Sequence, residues 1–221
     1  MTYSLAIFDL DGTLLDTSQG IFATANKAVV AVGGEAIEDE AQLSKFIGPP
    51  INQCFINVYG LDPSLSEEAV DIYRDEYERR GRFLAHPYDG IEETLVELKS
   101  RGYRLAVGTL KYEPLARRML EHFGLAHHFE AIKGSDASST CSKADIVNAV
   151  LAELGVPRQE AVLIGDTVHD EEGAKESGVA FIAVDYGFGF PKGHRQDEGM
   201  VAMARSARHV AALLSPLLPK P

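Results

Sequence analysis

Ser4-Leu5-Ala6-Ile7-Phe8-Asp9-Leu10-Asp11-Gly12-Thr13-Leu14-Leu15-Asp16-Thr17 joins a short apolar run to a cluster of acids. The run before Asp9 has the length and content of a buried strand. Side chains alternate along a strand, so Asp9 and Asp11 reach toward one side where the strand runs out. Gly12 lets the chain turn sharply and lets a ligand approach the backbone. Two carboxylates held together repel each other, and the cost is relieved by a cation between them or a proton on one of them. The first remedy is a metal site, the second an acid–base pair. A turn explains Asp-Gly alone. It does not explain an apolar strand ending in Asp-x-Asp-Gly-Thr-Leu.

After this stretch the pattern turns helical. Helical spacing predicts a helix over 20–32, stopped by Gly33-Gly34, and a short one over 38–46. Gly48-Pro49-Pro50 is a rigid break. Helices follow over 51–59 and from the candidate caps Ser64 or Ser66 to about Arg80. From Gly90 onward strands and helices alternate: helix 91–101, strand 103–108, helix 114–123, strand 129–133, helix 143–154 closed by Gly155, strand 161–165, helix 171–177 and strand 179–184. Such alternation predicts an α/β fold with a doubly wound parallel sheet and ligands at the carboxyl ends of its strands. The helical block at residues 17–86 then reads as an insert, a small all-helical cap domain over the catalytic end of an α/β core formed by residues 1–16 and 87–221.

The 221 residues are 45% apolar and 24% charged, ordinary for a soluble globular protein with a sizeable core. The net charge of −12 argues against a nucleic-acid polymer or an acidic membrane as partner. It also repels an anionic substrate at long range, so local cations are needed at the site. Cys54 and Cys141 lack metal-ligand spacing and read as reduced thiols in a cytoplasm. Neither a signal peptide nor a membrane-spanning run is apparent. A monomer or a homodimer is expected.

Three later stretches bear chemistry. Thr109 follows the strand 103–108, and its hydroxyl, with the backbone N–H groups after it, at Leu110 and beyond, can donate to phosphate oxygens. Lys143 stands in the first turn of a helix capped by Ser142, where the macrodipole disfavours a cation. Its presence there calls for an anionic partner. Lys111 is placed to line the site, whereas Lys133 comes too early relative to the helix. Val162-Leu163-Ile164-Gly165-Asp166-Thr167-Val168-His169-Asp170 is another apolar strand ending in carboxylates, and Asp166 and Asp170 share a face if the chain turns helical. Oxygen ligands without a thiolate or a histidine pair suit Mg²⁺. Asp170 is also the residue a first helical turn favours in any case.

Taken in order, Asp9–Thr17, Thr109, Lys143 and Asp166–Asp170 resemble the four signatures of the haloacid dehalogenase superfamily, across residues 5–178. The resemblance implies a phosphoryl-transfer enzyme with Asp9 as nucleophile and Asp11 as general acid and base, Asp11 being protonated because a carboxylate lies near. Thr109 and Lys143 would hold the phosphoryl group. Asp9 and Asp166 would bind Mg²⁺ through side chains, Asp11 through its carbonyl, and Asp170 would bind or support the metal shell. Gly12, Leu110, Gly48 and Pro49 would add to the substrate site. Residues 46–50 and Asp185-Tyr186-Gly187-Phe188-Gly189 resemble the phosphoglycolate phosphatase-like branch, which also holds enzymes described as 5′-nucleotidases. A small phosphorylated metabolite is the implied substrate. A dehalogenase has no need of Asp11 or Mg²⁺. The stretch Ser18-Gln19-Gly20 does not resemble the His-containing one of β-phosphoglucomutase, and a non-catalytic relative would not need every acid. The sequence offers no reading of Pro191 to Gly199.

Overall fold

The structure is a computed structural model that describes residues 3–47, 51–136, 140–194, 196 and 199–214. The chain divides into two compact units, one of Met1–Leu15 and Pro87–Pro221, the other of Asp16–His86.

The first unit is a six-stranded parallel sheet with flanking helices. Its strands are β1 (Leu5–Phe8), β4 (Arg104–Tyr112), β5 (Ala131–Ser135), β6 (Ala161–Gly165), β7 (Ala180–Val184) and β8 (Ala202–Ala204). They lie in the order β5-β4-β1-β6-β7-β8. From β1 the chain builds outward through β4 and β5 on one side, then crosses to β6, β7 and β8 on the other. The reversal falls at β1, the point where open α/β sheets bind ligands. Every residue of β1 and β6 is buried, as expected for strands covered on both faces.

The helices of this unit are α5 (Ile91–Ser100), α6 (Glu113–His122), α7 (Lys143–Leu154), α8 (Val168–Ser177) and α9 (Ala207–Leu213). Leu5 and Ile7 of β1 share one buried cluster with Val147 and Val150 of α7 and Ala174 of α8. Phe8, next in the alternation, meets Phe129 edge-on at 6.4 Å. Pairing fixes the register: Phe8 lies opposite Val107 of β4 and Ile164 of β6. Asp9 and Asp166 therefore follow the ends of β1 and β6, and Thr109 lies within β4 beside them, all within two residues of one level.

The second unit holds α1 (Ser18–Ala31), α2 (Glu40–Leu43), α3 (Ile51–Tyr59) and α4 (Pro63–Arg79), with a 3₁₀ turn at Ser44–Phe46 after α2. Phe46, Phe55, Tyr59 and Tyr73 form its aromatic centre, and Tyr73 stacks on Tyr77 at 5.3 Å. Helix α1 lies close to the turn at Gly81, because a Cβ on Gly20 would stand 2.1 Å from the Gly81 carbonyl. The short strands β2 (Leu15–Asp16) and β3 (His86–Pro87) form a separate two-stranded sheet.

The elements differ from the sequence reading in several places, first in the short strands β2 and β3, which fall where only helices were expected. Helix α4 starts at Pro63, with Asp62 in the cap position, and the Ser66 hydroxyl donates to the Asn52 carbonyl at 2.9 Å. Strand β4 runs past Gly108 to Tyr112, with a shift in its register against β5. Helix α8 starts at Val168, three residues before the expected position. A sixth strand and a further helix, β8 and α9, follow residue 199, where nothing was expected. The segment leading to them is held by Phe190 packing on Phe181 and His194, and by the Gln196 amide donating to the Met200 and Val201 carbonyls.

Candidate active site at the carboxyl end of the sheet

Asp9, Lys143, Asp166 and Asp170 meet where β1 and β6 end. The Asp9 N–H still donates to the Ile164 carbonyl of β6 at 2.9 Å, so the backbone of Asp9 is tied to the sheet. The Lys143 ammonium lies 2.6 Å from Asp9 Oδ1 and 2.6 Å from Asp170 Oδ1. Ligand oxygens of Asp9, Asp166 and Asp170 all fall within 4.8 Å of one another. All four side chains are buried.

Each group is held by bonds of its own. Asp170 is the third residue of α8 and completes a capping box: its Oδ2 accepts from the Thr167 N–H at 3.0 Å and the Thr167 hydroxyl at 2.8 Å. It thus fills the local role that a first helical turn favours, while its other oxygen faces Lys143. Asp166 precedes that helix. Its Oδ2 accepts from the Phe188 N–H at 2.8 Å, and the Thr13 hydroxyl donates to its Oδ1 at 3.4 Å. Lys143 opens α7 behind a capping box of Ser142 and Asp145.

Burial sets the electrostatics. It pushes the Asp9 carboxyl up from 3.8 to about 6 against the pull of Lys143, and the Asp170 and Asp11 carboxylates add to the rise. Asp166 is raised well above the usual range by burial first, then by Asp170 and Asp9. Burial works against the Lys143 charge, but the Asp170 and Asp9 carboxylates outweigh it and hold the amine above its ordinary pKa. Tyr186, whose hydroxyl donates to the Thr13 carbonyl at 3.2 Å, is also raised, by burial and by Asp166.

Glycines make room for this density of groups. Gly12 has φ +78°, and a Cβ there would stand 2.2 Å from Asp166 Oδ2. A Cβ on Gly165 would meet the Asp170 carboxyl carbon at 2.3 Å, and one on Gly187 the Asp166 Oδ2 at 2.5 Å. One on Gly173 would meet Lys143 Cγ at 2.5 Å.

The remaining candidates are placed less uniformly. Thr109 is buried in β4 beside β1, and its hydroxyl accepts from the Lys111 N–H at 3.2 Å. One backbone donor expected to face a phosphate is therefore turned onto Thr109 itself. Leu110, half-buried, stands between them in the strand. Asp11 is not in the carboxylate cluster. Its two oxygens lie 3.0 and 2.9 Å from the Lys111 ammonium. The sequence reading called on a neighbouring carboxylate to keep Asp11 protonated, whereas the structure gives it an ion pair. Lys133 pairs with Glu153 at 2.5 Å, away from the cluster. Gly48 and Pro49 lie outside the described residues. Sequence reasoning missed the Gly187–Phe188 loop as a support for Asp166. The Gly-x-Gly spacing at Gly187 and Gly189 is its one local signal.

The donor set fits a hard divalent cation. Three buried carboxylates face one ammonium, so two negative charges are in excess. All the donors are oxygens, and no thiolate or histidine stands among them.

Comparison with known proteins places this geometry in context. The haloacid dehalogenase-like hydrolase family matches residues 6–184. The chain is 40% identical to a 5′-nucleotidase of Pseudomonas aeruginosa, over 86% of each protein. It is 39% identical to the tyrosine-protein kinase PtkA of Mycobacterium tuberculosis, over 84% of this chain and 63% of that protein. The solved structure of PtkA superposes with a TM-score of 0.82 at 34% identity, covering 96% of this chain and 98% of the other. A phosphoglycolate phosphatase of Vibrio cholerae is 31% identical, over 83% of this chain and 85% of that protein.

Proposed function

The chain belongs to the haloacid dehalogenase-like hydrolase family, and from that premise we propose that it is a Mg²⁺-dependent phosphatase that hydrolyses a small phosphate monoester through an aspartyl-phosphate intermediate. The observation that carries this reading is the meeting of Asp9, Asp166, Asp170 and Lys143 around 2.6 Å contacts at the switch point of the sheet.

Asp9 is the nucleophile. Its carboxylate oxygen forms a bond to phosphorus as the bond to the leaving alcohol breaks, and Asp11 gives that alcohol a proton. Asp11 then takes a proton from the water that attacks the aspartyl phosphate, which releases inorganic phosphate and restores Asp9. Lys143 spreads positive charge over the moving phosphoryl oxygens and holds Asp9 Oδ1 in place. The buried Thr109 stands one strand over, where its hydroxyl can donate to the same oxygens. Asp9 and Asp166, the Asp11 carbonyl and, in support, Asp170 would hold a divalent cation. When bound, that cation supplies the positive charge that lets an anionic nucleophile approach an anionic phosphate.

The substrate is a phosphorylated metabolite, with phosphoglycolate and nucleoside 5′-monophosphates as the two leading candidates. Relatives of both kinds match the chain, a 5′-nucleotidase at 40% identity and a phosphoglycolate phosphatase at 31%. The kinase name belongs to a protein of which this chain matches 63%, and it does not alter the reading. The helical unit is proposed as a cap that selects the substrate, and Gly48 and Pro49 as part of it. Among the described residues Cys54 and Cys141 form no disulfide, in keeping with a cytoplasmic enzyme. No described helix is long and apolar enough to cross a membrane.

The test is phosphate release from a panel of metabolite monoesters with Mg²⁺, for the natural chain and Asp9→Asn. The variant should keep its fold and lose at least about a thousandfold in turnover. Full activity in Asp9→Asn refutes the assignment.

A further inference from the structure

Lys111 and Asp11 form a close pair that the reaction does not require. The ammonium lies 2.9 and 3.0 Å from the two carboxylate oxygens, and its side chain is 10% exposed. They meet across 100 residues of sequence, where β4 continues past Thr109 and its register against β5 shifts. Lys143, the other cation of the site, is already held by Asp9 and Asp170.

The position of Lys111 follows from that of Asp11. A group that protonates the leaving oxygen must touch it, so the leaving oxygen stands one hydrogen bond from the Asp11 carboxylate. The Lys111 ammonium stands one hydrogen bond from the same carboxylate. Ammonium and leaving oxygen are then within about 6 Å, two hydrogen-bond lengths, of each other. An anionic group on the carbon next to the ester oxygen falls inside that span. A chain of net charge −12 with four acids at this edge offers such an anion little other welcome.

Resting on the phosphatase reading above, the geometry points to Lys111 as a specificity-determining residue that exchanges Asp11 for a second anionic group of the substrate, so that the preferred monoester bears a carboxylate or a like anion close to its ester oxygen. The exchange frees Asp11 from its ion pair when such a substrate is bound. A neutral alcohol offers Lys111 no anion in return. A charge-assisted contact of this kind changes affinity about tenfold to a hundredfold.

The test compares 2-phosphoglycolate with 2-hydroxyethyl phosphate, which replaces the carboxylate by a neutral group, using the full chain with Mg²⁺. The readout is the ratio of their kcat/KM values in the natural chain, Lys111→Met, Lys111→Gln and Lys111→Arg. The natural chain should prefer phosphoglycolate. Lys111→Met and Lys111→Gln should lower the ratio at least about tenfold, through the KM of phosphoglycolate, and Lys111→Arg should restore most of it. A pair with only a structural role would lower both rates together and leave the ratio unchanged, which overturns the inference. Preference of the natural chain for 2-hydroxyethyl phosphate also overturns it while leaving the phosphatase reading intact. Release of phosphate from no monoester at all overturns that reading and this inference with it.

Discussion

Adding a divalent cation should stabilise the protein, and the gain should depend on pH in a direction fixed by Asp9. In the cation-free protein the Asp9 carboxyl is raised from 3.8 to about 6. The folded state therefore holds the proton more tightly than the unfolded chain does. The contribution of this group to stability is fully present below the unfolded value of 3.8, and it is lost as pH rises through about 6. Each tenfold gain in proton affinity is worth about 1.4 kcal/mol, so the ionised, folded state is roughly 3 kcal/mol less favourable than it would be with a solvated aspartate. A cation placed among Asp9, Asp166 and Asp170 relieves that cost. For a chain of this length 1 kcal/mol moves the melting temperature by about 2–4 °C, so millimolar Mg²⁺ should raise it by about 6–12 °C near neutral pH. At about pH 5 the cation must first displace a proton, which removes about 1.4 kcal/mol of the gain and roughly halves the shift. Thermal unfolding at the two pH values, with Mg²⁺ or with chelator, measures both numbers. Asp166→Asn sharpens the test, because removing one carboxylate should raise the melting temperature in chelator near neutral pH and erase the response to Mg²⁺. Equal shifts at both pH values, or an Asp166→Asn variant that is less stable in chelator yet still gains from Mg²⁺, refute the reasoning.

Gly12→Ala combines a left-handed backbone with a Cβ 2.2 Å from Asp166 Oδ2. The backbone strain alone should cost about 1–2 kcal/mol, and the displaced carboxylate should weaken the Mg²⁺-dependent shift in melting temperature. Lys143→Met leaves Asp9 and Asp170 without their shared ammonium. It should lower turnover by about a hundredfold or more and destabilise the cation-free protein by about 3–5 kcal/mol, read by steady-state kinetics and denaturant unfolding. Gly173→Ala should improve the helix propensity of α8 by up to about 1 kcal/mol, yet the new Cβ would press on Lys143 Cγ at 2.5 Å. The expected result is a loss of activity without a gain in melting temperature.

The parts of the site that were legible in the sequence are those whose logic is local. Asp9 and Asp166 each end an all-apolar strand, and Lys143 opens a helix against the macrodipole; each is unusual within its own ten residues. Their convergence followed from alternation of strands and helices, which forces the strands into one parallel sheet with a common carboxyl edge. The Asp11–Lys111 pair was not legible, because it depends on how far β4 runs and on a register shift that leaves no mark in the pattern of Thr109-Leu110-Lys111. The Phe188 N–H on Asp166 was hidden for a related reason. Gly187 and Gly189 announce a close approach, but nothing near them says to what. Strand β8 was missed because Ala202-Met203-Ala204 is too short and too weakly apolar to stand out, and it is specified by its pairing with β7.

These observations explain why the site can hold like charges together before any cation arrives. Asp9 is fixed by a backbone bond to β6, Asp170 by the capping box of α8, and Asp166 by the loop after β7. None of these anchors involves the other two carboxylates. The repulsion among the three is therefore borne by separate pieces of the scaffold, each stabilised by strand pairing or helix capping that the fold needs anyway. The cost surfaces as the raised pKa of Asp9 and Asp166, and the proposed cation would discharge it on binding. A looser arrangement would let the acids move apart, and the free energy of cation binding would then be spent on assembling the site instead of on the proposed alignment of Asp9 with a phosphate.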